Sequence, residues 1–165
     1  MPLQTGLFQI STVVTDSAEQ FRIWAAQKNI RIQIQHEDPA LMVDADKEKI
    51  IQVLTNLIGN AVKFSPKNGL IQIQTKIAPP TPRGNSVEFV VQDNGPGITL
   101  KDQERLFKKF GRATSIPLED DQGTGLGLCI SKQIIEKHGG QIRVDSAAGQ
   151  GSRFIFVIPQ YQPSH

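Results

Sequence analysis

Two asparagines and a lysine share one stripe of an apolar segment in the first half of the chain. Asn56, Asn60 and Lys63 stand at i, i+4 and i+7 of this segment. In a helix, these positions lie on one face. A solvated helix face prefers Lys and Glu, because Asn competes with the helix for backbone hydrogen bonds. The stripe is therefore either a solvated face or a set of groups that ligates a hard cation and contacts its anionic partner.

A carboxylate stands where an apolar strand ends. Residues 86–92 read SVEFVVQ, and Asp93-Asn94-Gly95-Pro96-Gly97 follows directly. A turn alone accounts for the two glycines and the proline. It does not account for an acid at the point where the strand leaves the core. Asp93 is therefore a candidate site residue.

A glycine-rich stretch opens a predicted helix in the last third of the chain. Residues 123–131 read GTGLGLCIS. Glycines let backbone N–H groups approach an anion, and a helix start adds a favourable dipole. The alternative is a flexible loop before a capped helix. A dinucleotide fingerprint is excluded because Leu128 stands where its third glycine is needed, and no Gly-Lys-Ser/Thr closes a P-loop.

The stretch LFKKFGR, residues 106–112, combines aromatic and basic side chains between the two glycine-containing motifs. Phe107 and Phe110 are candidates to plug a groove, while Lys108, Lys109 and Arg112 are candidates to contact phosphates. The alternative is a short amphipathic helix with exposed basic residues. Residues 108–122 contain few core-type side chains, so we expect this segment to be mobile.

The elements that must position these groups follow from periodicity and from turn signals. Five or six strands and three main helices predict an α+β fold, a two-layer sandwich with the helices on one face of a mixed sheet. One domain spanning residues 1–165 suits the chain length. The predicted strands are 7–10, 30–35, 70–74, 86–92, 141–145 and 153–158; the predicted helices are about 15–28, with a cap at Thr15-Asp16-Ser17, about 46–63 and about 126–138; residues 78–85 are predicted to be a loop.

Composition excludes several functional classes. The net charge is +2, with 18 basic and 16 acidic residues. The chain therefore lacks the excess of positive charge that is typical of nucleic-acid-binding proteins. No apolar run approaches the roughly 20 residues that span a bilayer. The single cysteine excludes an internal disulfide and fits a reducing compartment. We therefore expect a cytoplasmic domain without contact to membranes or nucleic acid.

Four motifs occur in the order of a known family. NLIGNAVKF from residue 56, DNGPG from residue 93, FKKF from residue 107 and GTGLG from residue 123 resemble the N, G1, F and G2 boxes of the histidine-kinase catalytic domain. The resemblance covers nearly the whole chain. It implies the Bergerat-type ATP-binding fold, which that family shares with DNA gyrase and the mismatch-repair ATPases.

The resemblance implies a role for each matched residue. Asp93 would accept a hydrogen bond from the exocyclic amine of adenine, and Gly95 and Gly97 would let the backbone wrap around the base. Asn60 would ligate Mg²⁺, and Lys63 would reach the phosphates. The complete set implied to bind ATP is Asn56, Asn60, Lys63, Phe64, Asp93, Gly95, Gly97, Phe107, Lys108, Phe110, Arg112, Gly123, Thr124, Gly125, Leu126, Gly127 and Leu128.

Position 56 bears on the reaction. ATPases of this fold carry a glutamate there to activate water, whereas the amide of Asn56 cannot act as a general base. The resemblance therefore implies a kinase that donates the γ-phosphate of Mg-ATP to a histidine on a separate dimerisation domain, which this chain lacks, for passage to a response regulator. The alternatives are an anti-sigma-type serine kinase and a non-catalytic ATP-binding module.

The histidines of the chain are poor candidates for the phosphate acceptor. His36 directly follows the alternating strand 30–35 and precedes the Glu37-Asp38-Pro39 turn, so we expect it in a loop. His138 is expected to cap the end of a helix, and His165 is the last residue. The acceptor is therefore expected outside this chain.

Overall fold

The computed structural model describes residues 2–82, 84–108 and 127–161. Within these ranges the chain forms seven strands and five helices. In chain order they are β1 (Gly6–Gln9), α1 (Ile10–Glu19), α2 (Arg22–Gln27), β2 (Arg31–His36), β3 (Met42–Ala45), α3 (Lys47–Phe64), β4 (Leu70–Thr81), β5 (Gly84–Asp93), α4 (Leu100–Gln103), α5 (Gly127–Lys137), β6 (Gln141–Ser146) and β7 (Ser152–Pro159).

Five of these strands form one mixed sheet in the order β2-β4-β5-β7-β6. β2 and β4 are parallel, and the other neighbours are antiparallel. β1 and β3 form a separate antiparallel pair. The helices cover one face of the five-stranded sheet, so the predicted two-layer α+β sandwich is confirmed.

Burial along the strands follows the sequence pattern. β2 alternates exposed and half-buried residues, and the first half of β4 alternates half-buried and buried residues, as strict alternation predicts. β5 and β7 carry consecutive buried residues, such as Val90 and Val91, because both strands lie inside the sheet. The Phe89 and Phe156 rings stack at 4.4 Å between centroids. This pair joins the two inner strands below the helices.

Helix α3 is the main helix of the core. Its N-cap is Asp46, whose Oδ1 accepts a hydrogen bond from Lys49 N at 3.3 Å. The helix ends before Pro66, and Lys28 Nζ donates to the carbonyls of Val62 and Lys63 at 2.8 and 3.1 Å. Its buried stripe consists of Ile50, Val53, Leu54, Leu57, Ile58, Ala61 and Val62.

The prediction for the first helix was wrong in its start and its continuity. α1 begins at Ile10, directly after β1, and α2 is a separate helix after Phe21. The hydroxyl of Ser17 does not cap a helix, since it donates to Val13 O at 2.8 Å inside α1. The buried stripe that includes Ile10, Val13 and Val14 outweighs the local cap signal.

Other elements also differ from the predictions. β4 and β5 extend into the expected loop 78–85, and the ladder tolerates the two prolines because its register shifts between Ala78 and Thr81. His36 lies in β2 rather than in a loop, opposite Thr75. β3 and α4 were not predicted, because each has only four residues and therefore no readable period.

No helix in the part of the chain that the structure describes combines the length and the apolar character needed to cross a bilayer.

Candidate functional site

A cavity of about 50 Å³ lies where the C-terminal half of α3, the end of β5, the start of β7 and the start of α5 meet. Its lining joins residues from three of the four predicted motifs. Asn60 and Phe64 come from the first motif, Asp93 and Gly97 from the second, and Leu128 directly follows the last glycine of the fourth. The fold therefore brings together groups that are up to 68 positions apart in the chain.

Asp93 is buried at the end of β5, with 8% of its surface exposed. Its Oδ1 accepts a hydrogen bond from Gly95 N at 2.8 Å. Burial raises the pKa of the Asp93 carboxyl above its usual 3.8, and backbone hydrogen bonds from Gly95 and Ser152 partly oppose this shift. The carboxyl is therefore held in one orientation at the cavity, and desolvation favours a donor that can hydrogen-bond to it.

The glycines after Asp93 are required by close backbone contacts. A Cβ on Gly95 would lie 2.6 Å from Phe64 O at the end of α3. A Cβ on Gly97, whose φ is +76°, would lie 2.0 Å from Ala147 O in the β6–β7 turn. The turn that follows Asp93 is thus packed backbone to backbone between α3 and the β6–β7 turn.

The polar stripe of α3 is not a uniform solvated face. Asn60 and Phe64 line the cavity, and Lys63 Nζ lies 5.2 Å from the centroid of the Phe64 ring. Asn56 contacts α5 instead: its Nδ2 donates to Gly127 O at 2.8 Å and to Ser131 Oγ at 3.2 Å. The first asparagine therefore anchors the first turn of α5, while the second lies at the cavity.

The fourth motif is described only from Gly127 onward. A Cβ on Gly127 would lie 2.9 Å from Asn56 Oδ1, so glycine permits the close approach of α5 to α3. Leu128 adds an apolar wall to the cavity. The predicted site residues Phe110, Arg112, Gly123, Thr124, Gly125 and Leu126 lie outside the described residues.

The third motif is represented by Phe107 and Lys108. Residues 104–107 form turns, and residues 109–112 of the stretch in which a short amphipathic helix was the alternative prediction lie outside the described residues. The half-buried Phe107 ring meets Phe154 edge-on at 6.4 Å between centroids, and Phe154 lines the cavity. Lys108 is exposed. Phe107 therefore packs against a residue of the cavity wall without lining the cavity itself.

Several lining residues were missed in the sequence. Ile98 and Leu106 flank predicted motifs, and the available signal was an apolar residue directly after Gly97 and another directly before Phe107. Ser152 and Phe154 come from the last strand, and Ser152 reaches the site because it pairs with Asp93 across β5 and β7. That pairing depends on tertiary register, which no local pattern indicates.

Comparison with protein families agrees with this geometry. Residues 45–162 match the family described as histidine kinase-, DNA gyrase B- and HSP90-like ATPase. The sensor-like histidine kinase SenX3 of Mycobacterium bovis is 34% identical over 151 residues, which cover 91% of this chain and 35% of SenX3. The chain thus spans about a third of the length of this curated relative.

Solved structures show the same relationship. The catalytic domain of histidine kinase ThkA matches with a TM-score of 0.82 and 30% identity, covering 96% of this chain and 97% of that domain. Full-length ShkA in complex with AMPPNP matches with a TM-score of 0.83 and 29% identity, covering 100% of this chain and 33% of ShkA. ThkA in complex with the response regulator protein TrrA matches with a TM-score of 0.75 and 27% identity, covering 94% of this chain and 42% of that one. This chain belongs to the histidine kinase-, DNA gyrase B- and HSP90-like ATPase family, as a catalytic domain of the histidine-kinase type.

Proposed function

We propose that this domain binds Mg-ATP and presents the γ-phosphate to a histidine on a separate dimerisation domain. The observation that carries the proposal is the cavity in which a buried carboxyl, Asp93, meets an amide, Asn60, and an apolar wall. This arrangement suits a ligand with a flat apolar body, an amine donor and a charged tail. An adenine nucleotide has all three.

Asp93 is the proposed selector of the base. An ionised carboxylate is only an acceptor, so it pairs with the exocyclic amine of adenine and repels the carbonyl oxygen of guanine at the same position. Ile98, Leu106 and Phe154 offer apolar surface to the faces of the base. The Gly95 hydrogen bond fixes the carboxyl before any ligand arrives. Selectivity for adenine then follows from a group that is already oriented.

Asn60 is the proposed protein ligand for Mg²⁺. Within the described residues there is no cluster of three or more His, Cys, Asp or Glu side chains that could hold a metal alone. Mg²⁺ fits this site nevertheless, because it keeps several waters and takes substrate phosphates together with one or two hard protein oxygens. The amide oxygen of Asn60 is such a donor at the cavity. Lys63, about one turn further along α3, is the proposed group that neutralises phosphate charge.

The phosphate acceptor is proposed to lie on another domain. His36 Nδ1 is 2.6 Å from Thr75 Oγ1, and its Nε2 is buried. His138 is 1% exposed, with both ring nitrogens hydrogen-bonded. Neither imidazole lines the cavity. We propose that a dimerisation domain supplies the acceptor, that a response regulator receives the phosphate, and that the domain works in the cytoplasm.

Calorimetric titration of the wild-type domain with Mg-ATP and Mg-GTP tests the proposal. We expect ATP to bind more tightly by about tenfold or more, the effect of one charged hydrogen bond gained or lost.

Asn60→Ala should remove the Mg²⁺ dependence of ATP binding and leave the fold intact. Asn85→Ala, at an exposed residue of β5, is the matched control. Equal affinity for the two nucleotides would contradict the base-selection role, and an unchanged Mg²⁺ dependence in Asn60→Ala would return Asn60 to the solvated-face interpretation.

A further inference from the structure

Gln103, the last residue of α4, bridges two segments that form one side of the cavity. Its Nε2 donates to Ile98 O and to Ser146 O, each at 2.7 Å. Only the nitrogen end of the amide carries two hydrogens, so two carbonyl partners fix its orientation. Ile98 ends the turn that begins at Asp93, and Ser146 is the last residue of β6. Gln103 therefore ties the Asp93–Ile98 turn to the end of β6.

Ser146 closes the same connection from the other side. Its Oγ accepts from Ile98 N at 2.9 Å and donates to Gly151 O at 2.6 Å. It also lies 3.1 Å from Ser152 Oγ, and Ser152 lines the cavity. Both backbone polar groups of Ile98 are thus held, one by Ser146 directly and one through Gln103. The side chains of Gln103 and Ser146 thus form a closed hydrogen-bonded frame around Ile98, and Ser152 adjoins this frame through Ser146.

The Asp93–Ile98 turn and the β6–β7 turn, which this frame joins, are in direct backbone contact. A Cβ on Gly97 would lie 2.0 Å from Ala147 O, and a Cβ on Gly151 would lie 2.3 Å from Asp93 O. With backbones in direct contact, a displacement of Ile98 must be passed to Asp93 or to the β6–β7 turn. The position of the Asp93 carboxyl therefore depends on the frame.

We propose that Gln103 is a positioning residue that fixes the Asp93–Ile98 turn against β6 and thereby sets the selectivity of the cavity for adenine. The inference rests on the proposed nucleotide site and deepens it. The role differs from helix capping, because the Gln103 side chain bonds to residues 98 and 146 rather than to a carbonyl of α4. The N-terminus of α4 has its own cap, Thr99 Oγ1, which accepts from Asp102 N at 3.2 Å.

Two substitutions separate the hydrogen bonds from the bulk of the side chain. Gln103→Leu keeps a similar volume and has no donor. Gln103→Lys restores donors on a chain long enough to reach both carbonyls and serves as the rescue variant. Gln92→Leu, at an exposed position of β5, is the matched control.

The first measurement uses the nucleotide-free domain. Amide hydrogen exchange at Ile98, whose N–H is bonded to Ser146 Oγ, should become about fivefold faster in Gln103→Leu, the factor of one net hydrogen bond. It should return toward the wild-type rate in Gln103→Lys. Exchange at Val91 in the centre of the sheet should not change, which shows that the fold is intact.

The second measurement is calorimetric titration of the same variants with ATP and GTP. Gln103→Leu should weaken ATP binding about fivefold and reduce the ATP-to-GTP ratio, since the carboxyl is no longer held in the orientation that distinguishes the bases. Gln103→Lys should recover the ratio. A wild-type domain that prefers ATP, with Gln103→Leu unchanged in both exchange and ratio, would overturn this inference and leave the proposed function standing. A wild-type domain without adenine preference would instead contradict the proposed function itself.

Discussion

Two effects on the pKa of the Asp93 carboxyl oppose each other in the unliganded protein. The carboxyl is buried, which raises its pKa, and it is hydrogen-bonded by backbone groups of Gly95 and Ser152, which stabilise the ionised form. Because the folded-state pKa lies above the unfolded value, the stability contributed by Asp93 is present at acidic pH and is lost as pH rises through that raised pKa. In the proposed function, the ionised carboxyl would therefore serve recognition at a cost to the stability of the unliganded domain.

Asp93→Asn should separate these two effects. We expect ATP affinity to fall about tenfold or more, because the amide can present a donor to the base. Thermal stability of the unliganded variant at neutral pH should equal or exceed that of the wild type, since a neutral amide avoids the burial of a charge and its oxygen can still accept from Gly95 N. Wild-type affinity should also fall as pH is lowered toward the raised pKa, whereas that of the variant should stay constant.

Calorimetry across pH and thermal denaturation without ligand measure these effects. Asn94 is the neighbouring control, because its Oδ1 accepts from Leu70 N at 3.1 Å and it does not line the cavity. Asn94→Ala should affect stability more than base selectivity. An Asp93→Asn variant that binds ATP like the wild type would contradict the selector role.

Helix α5 is tied to α3 at both ends of α5. Asn56 Nδ2 holds the first turn of α5 through Gly127 O. At the other end, His138 Nε2 accepts from Asp46 N at 3.0 Å, and its Nδ1 donates to Ile134 O at 2.8 Å. Only a neutral imidazole with its proton on Nδ1 can make both bonds of His138. The start of α5 at the cavity and the cap of α3 are therefore parts of one connected helix pair.

Acidification should weaken this helix pair. Burial lowers the pKa of His138, although the Ile134 hydrogen bond and the nearby Asp46 charge oppose the shift. Because the folded pKa lies below 6.5, the stability from neutral His138 is present above pH 6.5 and is lost as pH falls through the folded pKa. The slope in that window is at most about 1.4 kcal/mol per pH unit. His138→Gln should flatten the slope and cost about 1–3 kcal/mol at neutral pH through imperfect hydrogen bonding.

Urea denaturation of the wild type and the variant at several pH values measures this dependence. His36 is the matched control, because burial lowers its pKa too, and it lies in β2, away from the helix pair. His36→Gln should remove its own part of the pH dependence and leave that of His138 in place. A wild-type slope that His138→Gln does not alter would show that His138 is not the titrating group.

Elements whose periodic pattern extends over several residues were predictable from the sequence. Elements whose bounds depend on tertiary contacts were not. The apolar stripe of α3 and the alternation of β2 and β4 are local, and the structure confirms them. The start of α1 at Ile10 depends on packing against the core, which overrode the local Thr15-Asp16-Ser17 signal. For the candidate site, the motif residues were identifiable because they break patterns, as a carboxyl after an apolar strand does. Ser152 and Gln103 were not, since their partners lie across the sheet or across a turn.

At the scale of the whole molecule, the proposed function separates nucleotide binding from the phosphate acceptor. In the described residues, the half-buried His36 ring lies beside Thr75 of β4, and the buried His138 ring is hydrogen-bonded to Asp46, the N-cap of α3. The chain covers 35% of SenX3. The part of SenX3 that is not covered is long enough for a domain with an acceptor histidine. A helix pair that positions the nucleotide and a mobile partner that carries the histidine would then meet only during transfer. The domain alone should accordingly bind nucleotide without completing a reaction.

Turnover by the isolated domain should be slow for water and undetectable for its own histidines. The resemblance implies that ATPases of this fold carry an activating glutamate at position 56, whereas the amide of Asn56 donates to Gly127 and Ser131 and is not a general base. Incubation with labelled ATP should therefore leave the chain unlabelled.

Addition of a helical hairpin that bears an acceptor histidine and a neighbouring acid should produce acid-labile label on the hairpin, because that acid can orient or deprotonate the imidazole. The hairpin with its histidine replaced by glutamine is the control. Acid-labile label on His36 would contradict the separation of roles, and acid-stable label on a partner's serine would favour the serine-kinase alternative.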